Sequence, residues 1–130
     1  MIKDGVIVDT SVLISFFKGT DKYVKEVTKL LQTNRLFITG IVIAELLQGI
    51  KNPEEEKRVS FLIDAIGTIE LTTDIWIKAG HVSSSLRRRG ISLPLTDVAI
   101  AALAIENNLS VFTIDKHYKK IPDLKIYKMG

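Results

Sequence analysis

Residues 97–115 have the sequence DVAIAALAIENNLSVFTID, in which a nearly continuous apolar stretch precedes a short β-branched run. The first part favours a helix that is buried on most sides, and residues 110–113 favour a buried strand. Asp97 and Asp115 stand at the two ends of this unit. A buried helix followed by a buried strand is typical of α/β domains, in which helices cover a parallel sheet.

The same alternation extends over the rest of the chain. Strands are predicted at residues 6–9, 36–39, 68–71, 110–113 and 125–127, and helices at 21–31, 53–66 and 73–89, with further helices after Asp9 and around Glu45. We therefore predict one α/β domain over residues 1–130, with a parallel sheet covered on both faces. Ligands of such sheets bind beyond the carboxyl ends of the strands, where Asp9 and Asp115 fall.

The composition excludes several kinds of site. The chain contains no cysteine and only two histidines, so disulfides, thiolate zinc sites and cysteine nucleophiles are ruled out. Oxygen ligands remain, and these suit Mg²⁺ or Mn²⁺ better than zinc or copper. Because no apolar run approaches the length needed to cross a bilayer, we expect a cytoplasmic protein.

Four acids stand in apolar surroundings, where an unpaired charge would be costly. They are Asp9, Glu45, Asp97 and Asp115. A group of such acids predicts a compensating cation. Glu45 should be the hardest to explain without a metal, because the helix around it is otherwise apolar over residues 41–47 and a solvated face is not expected there. Pairing with a lysine is the alternative for this residue.

The other three acids also have structural explanations. Asp9 could cap the helix that follows it, Asp97 would suit a first helical turn, and Asp115 could be a loop or capping residue. In the functional interpretation all three carboxylates face one cleft, with Asp115 the most peripheral. The remaining acids, including Glu26, have the settings of solvated or capping residues and form the background.

The charge pattern points to an anionic partner. The net charge is +3, and adding back the four negative charges above gives +7 for the rest of the chain. Such a surface would attract nucleic acid. Two basic clusters could contact phosphate: Arg87, Arg88 and Arg89, which equally suit a helix C-terminus, and Lys116, His117, Lys119 and Lys120. We expect His117 to be structural or phosphate-contacting rather than a general base.

The segments around the four acids resemble those of the PIN-domain family, and more closely those of VapC-type toxin ribonucleases. They are VDTS at Asp9, IAELLQG at Glu45, LPLTDVAIAA at Asp97 and FTIDKHY at Asp115, in this order over nearly the whole chain. The resemblance implies a three-layer α/β/α sandwich, a divalent metal site and endonucleolytic cleavage of RNA.

The resemblance also implies roles and partners. Asp9, Glu45 and Asp97 would be the principal ligands of Mg²⁺ or Mn²⁺, and Asp115 would complete the site or bind a second ion. Hydroxyl side chains would surround these acids, namely Thr10, Ser11, Thr96 and Thr113. Proteins of this kind are typically homodimers, and a VapB-like antitoxin inhibits them by packing a segment into a groove that approaches the active site.

Two other interpretations remain open. A receiver-type α/β domain phosphorylates a strand-end Asp in an acidic Mg²⁺ pocket, but it requires adjacent acids before the first helix, and Asp9 is followed by hydroxyl residues. The second is a non-catalytic PIN-like module that binds RNA or a partner. The four intact acids argue against it.

Overall fold

Strands and helices alternate along the chain as predicted. The computed structural model describes residues 3–130. The elements are β1 (Val6–Val8), α1 (Thr10–Phe17), α2 (Asp21–Gln32), β2 (Leu36–Ile38), α3 (Gly40–Gln48), α4 (Pro53–Ala65), β3 (Gly67–Thr68), α5 (Thr73–Arg88), α6 (Leu95–Glu106), β4 (Ser110–Phe112) and β5 (Lys125–Ile126). A 3₁₀ helix, Lys116–Lys120, lies between β4 and β5. Within these residues no helix has both the length and the apolar character required to span a membrane.

The order of the strands in the sheet determines where the candidate site lies. The strands pair in parallel in the order β3-β2-β1-β4-β5, which confirms the predicted parallel sheet. The chain runs from β1 outward to β3 on one side and then crosses to β4 on the other side of β1. The direction in which strands are added therefore reverses between β1 and β4. The carboxyl ends of these two strands form the switch point, where open α/β sheets bind their ligands. Asp9 follows β1 and Thr113 follows β4 at this point.

Both faces of the sheet are covered. Val6, Ile7 and Val8 alternate between the two faces of β1, and each is exposed by 1 % or less. A sheet that is buried on both faces must carry helices on both, so the predicted three-layer α/β arrangement is confirmed. The helix predicted from the opening stretch is α6, in which every residue from Val98 to Ala104 is buried.

The third strand is shorter than predicted. The expected strand 68–71 is replaced by Gly67–Thr68, at the edge of the sheet. The backbone N–H of Ile69 still donates to the carbonyl of Ile38 at 2.9 Å, after which the chain turns toward α5. A Cβ at position 67 would lie 2.8 Å from the ring of Phe37, so glycine permits this strand to approach β2.

The expectation for Glu26 was wrong. Its side chain is buried, with 7 % of the residue exposed, although the sequence suggested a solvated position. The carboxylate accepts a hydrogen bond of 2.5 Å from the hydroxyl of Tyr127 and lies 3.6 Å from the Nζ atom of Lys29. Tyr127 follows β5, so this bond fastens the last strand to α2. Local sequence around Glu26 contains no sign of so distant a partner.

Tyr127→Phe is therefore expected to lower the free energy of unfolding by about 1–3 kcal/mol, because it leaves a buried carboxylate without its hydroxyl donor. Urea denaturation monitored by circular dichroism measures this change. Tyr23→Phe is the control, since Tyr23 is buried and its ring packs at a tilt against Phe112, with no hydrogen bond from its hydroxyl to an acid among residues 3–130. Equal losses in the two variants would contradict the role given to the Tyr127 hydroxyl.

Candidate active site

Of the four predicted acids, Asp9, Asp97 and Asp115 meet at the carboxyl edge of β1 and β4. The fourth, Glu45, lies close enough for its charge to affect the pKa of Asp97. The pKa of Asp97 is raised from 3.8 to about 6, first by burial and then by the charges of Asp9 and Asp115. Glu45 adds a smaller increase to the pKa, whereas a hydrogen bond from Tyr118 lowers it. The acids therefore share one electrostatic environment, as the functional interpretation expected.

Asp9 is the most buried of these acids, with 7 % of the residue exposed. It occupies the N-cap position of α1, yet its side chain makes no capping hydrogen bond. Its Oδ2 atom accepts hydrogen bonds from Ser11 Oγ at 2.7 Å and from Thr113 Oγ1 at 2.9 Å, and its Oδ1 atom accepts one from Tyr118 Oη at 3.2 Å. The carboxylate thus accepts hydrogen bonds from side-chain hydroxyls rather than from the backbone N–H groups of α1.

The predicted hydroxyl residues differ in what they contact. Ser11 Oγ also accepts a hydrogen bond from the backbone N–H of Ile114, and Thr113 Oγ1 accepts one from that of Asp115. These two hydroxyls therefore tie Asp9 to the loop that carries Asp115. Thr10 donates to Glu45 Oε1 at 2.7 Å. Thr96 is exposed and lies outside this hydrogen-bond network of residues 3–130.

Glu45 is exposed, which contradicts the expected absence of a solvated face around it. Only Val42 and Leu46 of α3 are buried, so the apolar run 41–47 does not mark an interior helix. Part of this run instead lines an apolar groove. The lysine alternative is not supported either: among the ion pairs of residues 3–130, none includes Glu45. Glu45 is therefore not the acid that most requires a metal.

Asp115 is both a helix-capping residue and a member of the acid cluster, so both interpretations of this residue apply. Its Oδ1 atom caps the 3₁₀ helix by accepting a hydrogen bond of 2.9 Å from the backbone N–H of His117. The same oxygen lies 3.1 Å from His117 Nδ1. Asp97, Asp115 and His117 each offer one ligand atom, and these atoms lie within 4.8 Å of one another. Asp115 is thus half-buried inside the cluster rather than peripheral, and His117 joins it.

The donor set fits a hard divalent cation. Within residues 3–130, no lysine or arginine forms an ion pair with Asp9, Asp97 or Asp115. Converging carboxylates without a lysine or arginine partner repel one another, and Mg²⁺ or Mn²⁺ would relieve this repulsion through oxygen ligands. The imidazole of His117 is a further ligand that Mn²⁺ accepts more readily than Mg²⁺ does.

Tyr118 is the residue of the site that the sequence did not reveal. It is 1 % exposed, and its hydroxyl lies between Asp9 and Asp97. The available signal was an aromatic residue within the basic run 116–120, where a tyrosine would be expected to bury its ring and direct its hydroxyl to a polar partner. That signal does not say which partner.

The position of the arginine cluster at the C-terminal end of α5 is sufficient to explain its basic residues. Arg87 and Arg88 lie in the last turn of α5, where basic residues are favourable, and Gly90 follows with a left-handed φ of 79°. Arg88 Nη1 donates to Ser84 Oγ on the same helix at 3.3 Å. A contact of Arg87, Arg88 and Arg89 with RNA stays a prediction, as does one of Lys116, His117, Lys119 and Lys120.

An apolar groove begins at Glu45 and runs over α1 and α4. Its first section has a volume of about 330 Å³ and is lined by Glu45, Leu46, Phe17 and Arg58 among others. A second section of about 400 Å³ shares Phe17 and Arg58 and ends at Phe61, which is 80 % exposed. We name these sections together the α1–α4 groove. Its basic residues are Lys18, Lys51 and Arg58.

Known proteins resemble this chain in sequence over most of its length. Residues 6–124 match the family described as PIN domain. The chain is 25% identical over 122 residues to ribonuclease VapC2 of Rickettsia felis, covering 89% of this chain and 91% of the relative. It is 27% identical to ribonuclease VapC1 of Methanocaldococcus jannaschii, covering 94% and 86%.

Solved structures agree with these relatives. The structure of DNA-bound VapBC from Salmonella typhimurium has a TM-score of 0.85 at 25% identity, covering 96% of this chain and 98% of the other. That of VapBC2 from Rickettsia felis, bound to a DNA fragment from its promoter, has a TM-score of 0.83 at 22% identity, covering 94% and 96%. The second similarity shows the fold alone.

Proposed function

Because the chain belongs to the PIN-domain family, we propose that it is a metal-dependent endoribonuclease and the toxin of a toxin–antitoxin pair. The observation that carries the proposal is the group of Asp9, Asp97 and Asp115 at the switch point of the sheet, with no lysine or arginine partner among residues 3–130. Relatives named ribonuclease VapC support the substrate class. Family membership removes the receiver-type interpretation.

Asp9, Asp97 and Asp115 would hold Mg²⁺ or Mn²⁺, directly or through water, and Glu45 would contact it from the exposed side. The bound ion would supply an acidified water and neutralise charge on the phosphate. Attack of water on phosphorus with loss of the 3′ oxygen, which takes up a proton, leaves 5′-phosphate and 3′-hydroxyl ends. Ser11 and Thr113 contribute by fixing Oδ2 of Asp9.

The first test is cleavage of a mixed RNA pool by freshly purified protein in Mn²⁺ and in EDTA. Cleavage is expected in Mn²⁺ and not in EDTA. The products should be degraded by an exonuclease that requires a 5′-phosphate. RNA binding without Mn²⁺-dependent or Mg²⁺-dependent cleavage would instead support the non-catalytic PIN-like module. Products that resist the exonuclease would contradict attack by water in the direction proposed.

Asp97→Asn is expected to stabilise the metal-free protein at pH 8 by about 1 kcal/mol, with allowance for solvent screening of a half-buried group. The pKa of Asp97 is raised to about 6, so its ionised form destabilises the fold. This penalty is complete above about pH 6 and disappears as the pH falls toward 3.8, the value in an unfolded chain. The stabilisation should therefore vanish near pH 4.

Thermal unfolding in EDTA at both pH values measures this effect, with Asp64→Asn as an exposed control. Added Mn²⁺ should raise the unfolding temperature of the wild type at pH 8 and much less below pH 6, because a protonated Asp97 does not bind the ion. It should have little effect on the Asn variant at either pH. A stabilisation that is equal at pH 8 and pH 4 would contradict the assignment to Asp97.

The α1–α4 groove is the proposed site of a VapB-like antitoxin. Similar structures are complexes named VapBC, which supports a partner of this kind. The groove starts at Glu45 and is mostly apolar, with Lys18 and Arg58 on its walls. An apolar segment with flanking acidic residues would suit these walls, and its end would reach Glu45 and obstruct the metal site.

The remaining proposals concern assembly and location. We propose a homodimer, as the resemblance implies, and a cytoplasmic location, where RNA is available. Sedimentation equilibrium of the purified protein tests the first, and a mass of one chain at micromolar concentration would contradict it. RNA contacts by Arg87, Arg88, Arg89, Lys116 and His117 are proposed on charge alone.

A further inference from the structure

A single buried hydroxyl lies between two of the site's carboxylates. Tyr118 Oη is 3.2 Å from Oδ1 of Asp9 and 3.3 Å from Oδ1 of Asp97. The residue is 1 % exposed, whereas the lysines of the same 3₁₀ helix, Lys116–Lys120, are exposed. This short helix therefore inserts one buried side chain into the acid cluster, whereas His117 of the same helix joins the cluster from its exposed side. The hydroxyl of Tyr118 reaches Asp9 after β1 and Asp97 in α6, two otherwise separate elements.

A tyrosine hydroxyl suits this position because it is uncharged and can donate its proton to a carboxylate. It has one proton, which two acceptors must share or exchange. Burial and the charges of Asp9 and Asp97 raise the pKa of Tyr118, so the hydroxyl keeps its proton. A neutral donor can approach two carboxylates without adding to their repulsion, and a lysine there would instead neutralise the charge that attracts a cation.

The hydrogen bonds that Asp9 accepts indicate which of its oxygen atoms Tyr118 holds in place. Its Oδ2 atom already accepts two hydrogen bonds, from Ser11 and Thr113, and its Oδ1 atom accepts one, from Tyr118. A carboxylate has about four acceptor sites, so the remaining one lies on Oδ1. This is the atom that Tyr118 holds. The oxygen of Asp97 that faces Tyr118 is also an Oδ1 atom with acceptor capacity left.

We propose that Tyr118 is a positioning residue that holds Oδ1 of Asp9 and Oδ1 of Asp97 at a fixed separation before the metal binds. The inference rests on the proposed metal-dependent function and deepens it. Ser11 and Thr113 would still hold Asp9 if the shared donor were lost, but Asp97 would be free to turn away from it. Metal binding would then have to overcome both the repulsion between the carboxylates and the rotational freedom of Asp97. Outer groups that orient ligands in this way commonly change metal affinity by about 10–100-fold.

Tyr118→Phe tests the proposal, because it removes only the hydroxyl and keeps the ring that fills the core. Mn²⁺ affinity, measured by calorimetry at pH 8, is expected to weaken by about 10-fold. Tyr127→Phe is the matched control, since it also removes a tyrosine hydroxyl from a buried acid, Glu26. This control should lose stability and keep the wild-type affinity. A merely structural role for Tyr118 would give the two variants the same behaviour.

A second measurement does not depend on the folding of Tyr118→Phe. The chain has three tyrosines, so protein labelled with 3-fluorotyrosine should give three ¹⁹F signals. Tyr23→Phe and Tyr127→Phe identify two of them, and the third belongs to Tyr118. Addition of Mg²⁺ is expected to shift the Tyr118 signal and leave the other two in place. An unmoved Tyr118 signal in protein that binds Mg²⁺ would overturn the proposal.

The remaining outcomes separate this proposal from the proposed function. Affinity of Tyr118→Phe within twofold of the wild type overturns the positioning role, and so does an equal loss in Tyr127→Phe. A wild type that binds no divalent ion overturns it together with metal dependence. A wild type that binds Mn²⁺ but cuts no RNA overturns only the proposed function, and the affinity ratio then still decides the role of Tyr118.

Discussion

Asp9→Asn is expected to reduce Mn²⁺-dependent RNA cleavage by about a thousandfold, the scale found when one preorganised electrostatic group is removed from an active site. Three hydroxyls donate to this carboxylate, and it is 7 % exposed. An amide offers one weakly acceptor oxygen and places an NH₂ group against donors that need an acceptor. The substitution therefore removes a ligand charge and disturbs its orientation together.

The matched control is Glu26→Gln, because Glu26 has the same 7 % exposure and also accepts a bond from a tyrosine. It should lower stability and leave the cleavage rate per folded molecule unchanged. Single-turnover cleavage with excess enzyme, in Mn²⁺ and in EDTA, makes the comparison. Cleavage that persists in EDTA and in Asp9→Asn would exclude the proposed mechanism.

The α/β fold was predictable because its signals are local. Residues 97–115 combine a helix that is buried on most sides with a strand that is buried on both, and few folds other than a covered parallel sheet accommodate both. The error at 68–71 also has a local cause. At an edge strand with one neighbour, β-branched composition continues after pairing has stopped, and the last ladder bond, at Ile69, lies beyond the paired residues.

The position of the candidate site was predictable where an acid follows a buried strand, as Asp9 does, because the carboxyl ends of parallel strands lie at one edge of the sheet. Glu45 was misjudged for a physical reason. An apolar run has the same composition whether it packs in the core or lines a groove, and α3 does both. Glu26 and Tyr118 were missed because each depends on a partner far away in the sequence.

The exposed side chain of Glu45 borders two surfaces of the protein. It accepts a hydrogen bond from Thr10 at the edge of the acid cluster, and it also lines the first section of the α1–α4 groove. It is therefore where the proposed metal site and the proposed antitoxin site meet. A partner that fills the groove would cover Glu45 before it reached Asp9, so inhibition needs no change in the fold.

Phe61→Ser is expected to weaken inhibition by the antitoxin by about 30–150-fold, the effect of losing an aromatic anchor of about 2–3 kcal/mol. Phe61 is 80 % exposed at the far end of the α1–α4 groove, and an aromatic ring left in water on α4 has little to contribute to the isolated fold. Truncation should therefore leave stability and RNA cleavage nearly unchanged. The loss should be confined to partner binding.

The experiment titrates a candidate antitoxin, taken from the open reading frame beside the gene, against cleavage by the wild type and by Phe61→Ser. Met129→Ser is the control, because Met129 is an exposed apolar residue that lines neither section of the groove. Equal inhibition of all three proteins would place the partner elsewhere. If inhibition is lost only in Phe61→Ser while cleavage persists, then a contact at the far end of the groove controls access to Asp9 through the segment that it anchors.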